Sequence, residues 1–114
     1  MSEVTVAQAV EALGLTVLAG EERLDTVLTG AQVSDLLSHV MAHGKAGHLW
    51  ITNQTHANIV AVAALAGLAA IVVAAGFEPE AEAVIRAEEE EMPLCTSLET
   101  AYTLAGRLYQ LGVR

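Results

Sequence analysis

The densest group of chemically competent side chains lies between residues 52 and 58. It combines hydroxyl and amide groups with one imidazole, contributed by Thr52, Asn53, Gln54, Thr55, His56 and Asn58. These groups follow a predicted strand and begin a predicted helix, which is where open α/β sheets bind ligands. Free N–H groups at the start of that helix could hold an anion. We therefore predict a ligand-binding turn at this position.

Ser34 and Asp35 form a second polar turn, at the start of another predicted helix. We include both residues in the candidate ligand site. A simpler alternative stays open for the first turn. In that alternative Thr55 caps the helix and the other side chains satisfy backbone groups of the loop.

The four histidines could bind a metal ion, but their pattern favours a solvated helix edge. His39 and His43 are four residues apart and share one helical face, with His48 and His56 nearby. Such a pair is usable metal geometry. However, Val40 stands where the zinc-protease motif requires glutamate, and no acid lies close by. We predict no metal site and no cofactor.

Signals for nucleophilic catalysis are weak. Cys95 lies in a short apolar run and is predicted to be a small buried side chain. The sequence contains no Gly-x-Ser-x-Gly elbow and no phosphate-binding loop. A small enzyme with His56 as the acid/base is the alternative, but its motif supplies no second titratable group. We predict a protein that is not an enzyme.

Composition narrows the classes of partner. The 114 residues carry 5 basic and 14 acidic side chains, for a formal net charge of −9. Nucleic acids and anionic membranes need a basic face, so both are excluded as partners. One cysteine excludes an intramolecular disulfide and suits a reducing compartment. No signal peptide is recognisable at the N-terminus. We expect one cytoplasmic domain over residues 1–114.

An uncharged apolar run could be mistaken for a membrane span. Ile59 to Ala75 holds 17 apolar or glycine residues, at the lower limit for crossing a bilayer. Gly67 divides the run into an alanine-rich half and a β-branched half. We expect a buried helix followed by a buried strand.

The hydrophobic pattern predicts five helices and five strands. A capping box, Thr5 with Gln8, starts the first helix, and Gly14 ends it. Strands are predicted at residues 15–19, 25–33, 48–52, 70–74 and 94–96. The later helices are predicted from Ser34-Asp35 to Gly44, from His56 to Ala66, from Glu78 to Met92, and from Ser97, with Leu98 on its buried face.

From residue 48 onward strands and helices alternate, which indicates consecutive βαβ units. The predicted fold is a three-layer α/β/α domain with a small, mainly parallel sheet. Edge strands at Leu15–Ala19 or Leu94–Thr96 would leave surface that a second copy could cover.

The acidic segment from Glu78 to Glu91 carries 7 of the 14 acids. It reads as a solvated helix face. Glu88 to Glu91 oppose the helix dipole at the C-terminal end. We expect this end to fray or to meet a basic partner on another chain.

Two sequence runs that contain the polar turns resemble a known family. Residues 33–41 read VSDLLSHVM and residues 49–63 read LWITNQTHANIVAVA. Both resemble the small stand-alone DRTGG-domain proteins of bacteria and archaea, and the likeness extends from Val6 to Gly112. The naming signature is loosely matched by Asp25 and the Thr29-Gly30-Ala31 triplet, with Ala31 where a second glycine is expected.

The resemblance implies an α/β domain similar to the N-terminal domain of HPr kinase/phosphorylase. Similar domains occur inside phosphotransacetylases and inside pyrophosphatases with CBS domains, where they look regulatory or dimer-forming. The family supplies no catalytic residues to carry over. Some stand-alone relatives are encoded near iron hydrogenases or signalling proteins, which implies an accessory role.

These observations predict a non-catalytic regulatory or ligand-binding module that forms a homodimer. Its ligand would be a small anion such as a nucleotide. The alternative partner is a larger redox or signalling enzyme to which the chain would be an accessory interaction subunit.

Overall fold

The computed structural model describes residues 3–114 and has the predicted α/β architecture. Its strands are β1 (Thr16–Ala19), β2 (Gly30–Val33), β3 (His48–Thr52), β4 (Ala70–Val73) and β5 (Leu94–Thr96). Its helices are α1 (Val6–Leu13), α2 (Leu37–His43), α3 (Asn58–Ala66), α4 (Ala81–Glu89) and α5 (Ala101–Leu111).

The five strands form one sheet in the order β1-β5-β4-β3-β2. The strands β2 to β5 are parallel, and β1 pairs antiparallel with β5. The chain moves one position across the sheet at each crossover, always in the same direction. Crossovers of one hand then place α2, α3 and α4 together on one face. The three-layer α/β/α prediction is confirmed.

Two hydrophobic clusters cover the two faces of the sheet. One cluster joins α1 and α5 to the sheet through Val6, Ala9, Leu104 and Leu108. The other joins α2, α3 and α4 to the opposite face through residues such as Val40, Ile59 and Ala83. Side chains of β3 alternate between the clusters, because successive residues of a strand point to opposite faces. Leu49 and Ile51 lie in the first cluster and Trp50 in the second.

The uncharged run from residue 59 to residue 75 forms α3 and β4, as predicted. Every residue of β4 is buried, since helices cover both faces of this central strand. Within residues 3–114, no helix has the length and hydropathy needed to cross a bilayer.

The first helix confirms its predicted start and end. Thr5 Oγ1 accepts a hydrogen bond from the Gln8 N–H, and the Gln8 side chain accepts one from the Thr5 N–H. Gly14 ends the helix in the left-handed conformation, with φ of 68°.

The predicted strand over residues 25–33 is shorter than expected. Only Gly30–Val33 pairs within the sheet, while Val27 makes an isolated antiparallel bridge to Thr5. Residues 25–29 instead lie against the start of α1. There the N–H of Leu28 donates to the Val4 carbonyl.

The prediction for the start of α2 was wrong. This helix begins at Leu37 and not at Ser34-Asp35. Ser34 Oγ accepts from the Leu36 N–H in a tight turn, and the Asp35 carboxylate binds residues of the β3 end.

The start of α5 was also placed too early. Thr100 is its cap, and its hydroxyl accepts from the Thr103 N–H. Ser97 instead closes a separate turn by accepting from the Glu99 N–H. Leu98 therefore lies outside the helix and is 89% exposed, contrary to its predicted burial.

One of the two predicted edge strands is internal. β5 lies between β1 and β4, so Leu94–Thr96 offers no open edge. The edges are β1, as predicted, and β2. The short segment Leu94–Thr96 could not reveal its internal position, because that position depends on β1, which pairs antiparallel outside β5.

Two groups of the same chain contact the acidic end of α4. Arg23 forms an ion pair with Glu91 at 3.1 Å, and the Gly20 N–H donates to Glu88 Oε1 at 3.0 Å. Gly20 and Arg23 both belong to the segment that follows β1. The antiparallel pairing of β1 with β5 brings this segment close to the end of α4. An intrachain basic contact had not been predicted from the sequence, and a basic partner on another chain stays a prediction.

Candidate functional site

The polar turns meet at one edge of the sheet. The parallel strands β2 to β5 end on the same side, and the loops that follow them cover residues 34–36, 53–57, 74–80 and 97–100. We call this side the carboxyl edge. Within it, the polar corner comprises Ser34, Asp35, Thr52, Asn53 and Gln54.

Asp35 organises the polar corner. Its Oδ1 accepts hydrogen bonds from Thr52 Oγ1 at 2.8 Å and from the Asn53 N–H at 2.7 Å. The Gln54 N–H donates to Thr52 Oγ1 at 3.1 Å, and Gln54 Nε2 donates to the Asp35 carbonyl at 3.0 Å. Three of these four hydrogen bonds join the β2 end to the β3 end, and the bond between Gln54 and Thr52 lies within the β3 end. Sequence reasoning named all the participants but not this connection.

Ser34 is held by the buried tryptophan of β3. Trp50 Nε1 donates to the Ser34 carbonyl at 2.8 Å, while the Ser34 N–H donates to the Ile51 carbonyl. A buried indole N–H needs an acceptor, and this one also fixes where the chain leaves β2. The backbone positions in the polar corner are therefore set by the core.

Thr55, His56 and Asn58 lie beyond the polar corner. The Thr55 carbonyl accepts from the Glu80 N–H at 3.0 Å, which ties this loop to the start of α4. His56 and Asn58 are exposed, and His56 Nδ1 accepts from the Asn58 N–H at 3.1 Å. Thr55 does not cap α3, which starts at Asn58 with Ala57 in the capping position.

The start of α3 does not offer the free N–H groups expected for an anion. The Asn58 N–H donates to His56 Nδ1, and those of Ile59 and Val60 donate to the carbonyls of His56 and Ala57. The turn before α3 therefore supplies acceptors within the chain for all three of these N–H groups. The charged side chain of the polar corner is the Asp35 carboxylate, which repels anions. That corner is better suited to hydroxyl or amine donors of a ligand.

A shallow depression opens at the polar corner. Its volume is about 200 Å³, and Ser34, Asp35, Asn53, Val33, Ile51 and Ala101 line it. Asp35 and Asn53 are both exposed there. A ligand could therefore reach one carboxylate and one amide above an apolar floor.

Three of the four histidines lie away from the carboxyl edge, with His39 and His43 on α2 and His48 at the start of β3. The rings of His39 and His43 stack with centroids 4.4 Å apart, and the His43 Nδ1 approaches the His39 carbonyl at 3.1 Å. His48 Nδ1 lies 3.2 Å from Gln32 Nε2 and 3.4 Å from the Lys45 backbone nitrogen. Burial, and then the Lys45 charge, lower the pKa of His48. Residues 3–114 contain no cluster of three or more potential metal ligands.

Cys95 is buried in β5, as predicted. Burial raises the pKa of its thiol to about 12, so the side chain stays protonated near neutral pH. A thiol in this state is a poor nucleophile.

A larger cleft lies elsewhere on the carboxyl edge. After β4 the chain passes to α4 on one face, whereas after β5 it passes to α5 on the other face. A cleft of about 520 Å³ lies outside these two strand ends, and we call it the switch crevice. Its polar lining includes Thr16, Glu78, Thr96 and Ser97. Sequence analysis missed it because the side of the sheet taken by α5 is set by packing.

Comparison with known proteins gives two matches of different kinds. The family model described as DRTGG domain matches residues 8–111. The structure is similar to the CBS and DRTGG domains of the regulatory region of Clostridium perfringens pyrophosphatase, which was crystallised with its activator diadenosine tetraphosphate. The TM-score is 0.75 at 18% sequence identity. The similarity covers 93% of this chain and 46% of that one, so this chain spans less than half of its structural relative. No curated protein matches the sequence.

Proposed function

This chain belongs to the DRTGG domain family, and from that premise we propose that it is a non-catalytic regulatory domain that binds a small ligand at its carboxyl edge. The single observation that carries the proposal is the polar corner. There Asp35 and Asn53 face an open depression while internal hydrogen bonds fix their backbone. A pre-formed backbone with a few exposed polar groups is typical of a binding site.

The ligand class that we propose to test first is a nucleotide, because the regulatory region of the similar pyrophosphatase holds a dinucleotide activator. The Asp35 carboxylate would accept a hydrogen bond from a ribose hydroxyl, as acidic residues do in other nucleotide sites. Asn53 could bond a base edge or a second hydroxyl. The phosphate groups would extend away from Asp35 into solvent.

A catalytic role has little support in the site. His56 Nδ1 accepts a hydrogen bond within its own turn, and Asp35 Oδ1 accepts hydrogen bonds from Thr52 and Asn53. General acid–base chemistry needs a titratable group within hydrogen-bond reach of the reacting atom, and the turn of His56 supplies no second group of this kind. A regulatory role needs only differential binding, and this geometry can provide that.

A thermal-shift titration with AMP, ATP and diadenosine tetraphosphate tests the proposal. We expect at least one of them to raise the Tm, and we expect Asn53→Ala to abolish the shift. Gln110→Ala is the matched control, because it removes another exposed amide, on α5. Unchanged Tm values with every nucleotide, or equal shifts in both variants, would contradict the proposal.

We also propose that the chain forms a cytoplasmic homodimer. The β2 edge and the adjoining part of α5 expose apolar side chains, with Val33 52% and Tyr109 58% exposed. A depression beside them is lined by Ala31, Ala105 and Val113 among others. Only α1 and α5 cover this face of the sheet, so its β2 end is left partly open. Pairing of two copies would bury this surface and the unpaired edge strand.

Multi-angle light scattering tests the dimer. We expect twice the mass of one chain at micromolar concentration. Val33→Lys should give a monomer, because it places a charge in the proposed interface. Leu65→Lys, at a 77% exposed position on α3, should leave the dimer intact. A monomeric wild-type protein would overturn this part of the proposal.

A second candidate function is that of an accessory subunit of a larger enzyme. The observation that favours it is the set of exposed apolar side chains at the carboxyl edge, which includes Leu36 and Tyr102 at 63% and 90% exposure. Exposed apolar side chains that cluster together are typical of protein interfaces. Loss of co-purification of a host enzyme in Tyr102→Ser, with retention in Leu65→Ser, would support this function.

A further inference from the structure

We propose that the switch crevice is a second binding site, separate from the polar corner, and that it takes a small ring-bearing organic cation. The crevice lies where the helices after β4 and β5 leave the sheet on opposite faces. Ligands of open α/β sheets bind outside strand ends at this kind of position, because diverging loops leave an open cleft there. The predicted ligand turn after β3 does not have this geometry, since α2, α3 and α4 share one face.

The size of the crevice fits a small molecule. Its volume of about 520 Å³ lies inside the usual range for ligand pockets, roughly 300–1,000 Å³. Its walls come from four parts of the chain: the end of α1, β1, the loop after β4, and the loop after β5. The loops after β4 and β5 are bound to each other, since the N–H groups of Ala75 and Gly76 donate to the carbonyls of Glu99 and Ser97. Thr16 of β1 pairs with Thr96 at the end of β5.

Two large apolar side chains of the lining are exposed. Leu98 is 89% exposed and Phe77 is 50% exposed, and both line the crevice. The Leu98 side chain lies beside Gly76, the residue before Phe77. A flat ring placed between the Leu98 and Phe77 side chains would cover apolar surface on both of its faces. An aromatic wall also attracts a cation.

The polar lining determines the charge of the ligand. Thr16, Thr96 and Ser97 bring hydroxyl groups to the crevice, and Glu78 and Glu99 bring carboxylates, of which Glu99 is paired with Arg107. The ion pairs found among residues 3–114 join Arg23 to Glu91 and Arg107 to Glu99, so neither neutralises Glu78. Arg107 also donates to the Ala12 carbonyl. The crevice therefore has an uncompensated negative charge that favours a cation and disfavours phosphate.

Three probes with the same ring and different charge test this inference by amide NMR on the full chain. They are tyramine, which is cationic, 4-ethylphenol, which is neutral, and 4-hydroxyphenylacetate, which is anionic. We expect tyramine to shift the amides of Thr16, Thr96 and Leu98, with a Kd at least fivefold lower than that of 4-ethylphenol. The anion should cause no shifts at these amides.

Two variants assign the preference to the crevice. Glu78→Gln should bring the tyramine Kd to that of 4-ethylphenol, and Leu98→Ala should weaken both by severalfold. Glu82→Gln and Leu65→Ala are the matched controls, at exposed positions outside the crevice, and should change neither Kd. The absence of shifts with tyramine, equal binding of the anion, or an unchanged preference in Glu78→Gln would overturn the inference. Nucleotide binding at the polar corner would shift the amides of Asp35 and Asn53 instead. The two proposals are therefore tested independently, and either can be wrong without the other.

Discussion

Thr52 Oγ1 donates a 2.8 Å hydrogen bond to Asp35 Oδ1, across 17 positions of the chain, and this bond joins the ends of two neighbouring parallel strands. Thr52 is the one buried polar side chain in the described part of the protein, at 1% exposure. Its hydroxyl also accepts from the Gln54 N–H, so donor and acceptor capacities are both used. The polar corner is therefore a structural element as well as a candidate binding site.

Removal of the Asp35 carboxylate should destabilise the protein. Asp35→Ala leaves the buried Thr52 hydroxyl and the Asn53 N–H without their acceptor, and hydrogen bonds to charged groups contribute about 1.5–3 kcal/mol each. We expect the free energy of unfolding in urea to fall by about 2–3 kcal/mol, less than the sum of two such bonds, because Asp35 is exposed and water can replace its carboxylate at the Asn53 N–H. Asp25→Ala, at an exposed loop position, should stay within about 0.5 kcal/mol of wild type. Equal effects of the two substitutions would show that the corner is not a structural junction.

Two glycine substitutions should act in opposite directions. Gly20 has a φ of 77°, and an added Cβ would overlap the backbone of Met92 and Pro93. Gly20→Ala should therefore cost more than about 2 kcal/mol, from conformational strain plus displacement of that backbone. Gly106 lies inside α5 with open space around it, so Gly106→Ala should stabilise by about 0.5–1 kcal/mol. Urea unfolding of both variants measures the sign of each change in unfolding free energy. A Gly20→Ala variant as stable as the wild type would contradict the close packing of Gly20 on Met92 and Pro93.

Stability should fall in mildly acidic solution because of His48. Its pKa in the folded protein lies below the ordinary value of 6.5, owing to burial and to the Lys45 charge. The unfolded chain therefore takes up a proton first, and stability decreases as the pH falls below about 6.5. His48→Asn should reduce the difference in unfolding free energy between pH 7.5 and pH 5.5. An imidazole NMR titration midpoint of 6.5 or higher for His48 would refute this explanation.

The Cys95 thiol should be inert in the native protein. Its pKa of about 12 and its burial leave almost no accessible thiolate at pH 8. We expect 5,5′-dithiobis(2-nitrobenzoate) to react only after unfolding, and at once in 6 M guanidinium chloride. Rapid modification of the native protein would mean that β5 is more accessible than the sheet order allows.

The sequence was sufficient for the elements whose pattern is local. The apolar run of β4 and the capping box at Thr5 and Gln8 each determine a structure without distant contacts, and both were predicted. The resemblance through residues 33–41 and 49–63 identified the family that the domain model later matched. The residues of the polar corner were selected as a candidate site because their types are unusual beside buried strands, and ligand binding there stays a prediction.

The failed predictions all depend on distant contacts. Asp35 looked like a helix cap because nothing local shows that the β3 end will offer Thr52 and Asn53 as donors. Leu98 fitted a helical stripe, but Thr100 caps α5 and leaves Leu98 outside it. The switch crevice could not be predicted, because its position depends on which face of the sheet each helix packs against. The hydrophobic pattern of a helix is the same for either face.

The most direct test of the proposed regulatory role is an amide NMR titration with AMP and with diadenosine tetraphosphate, since it reports both whether and where a nucleotide binds. We expect saturable shifts at the amides of Asp35 and Asn53, and their loss in Asn53→Ala. Shifts confined to the opposite edge of the sheet, around Lys45 and Gly47, or no shifts at millimolar nucleotide, would contradict the proposed role.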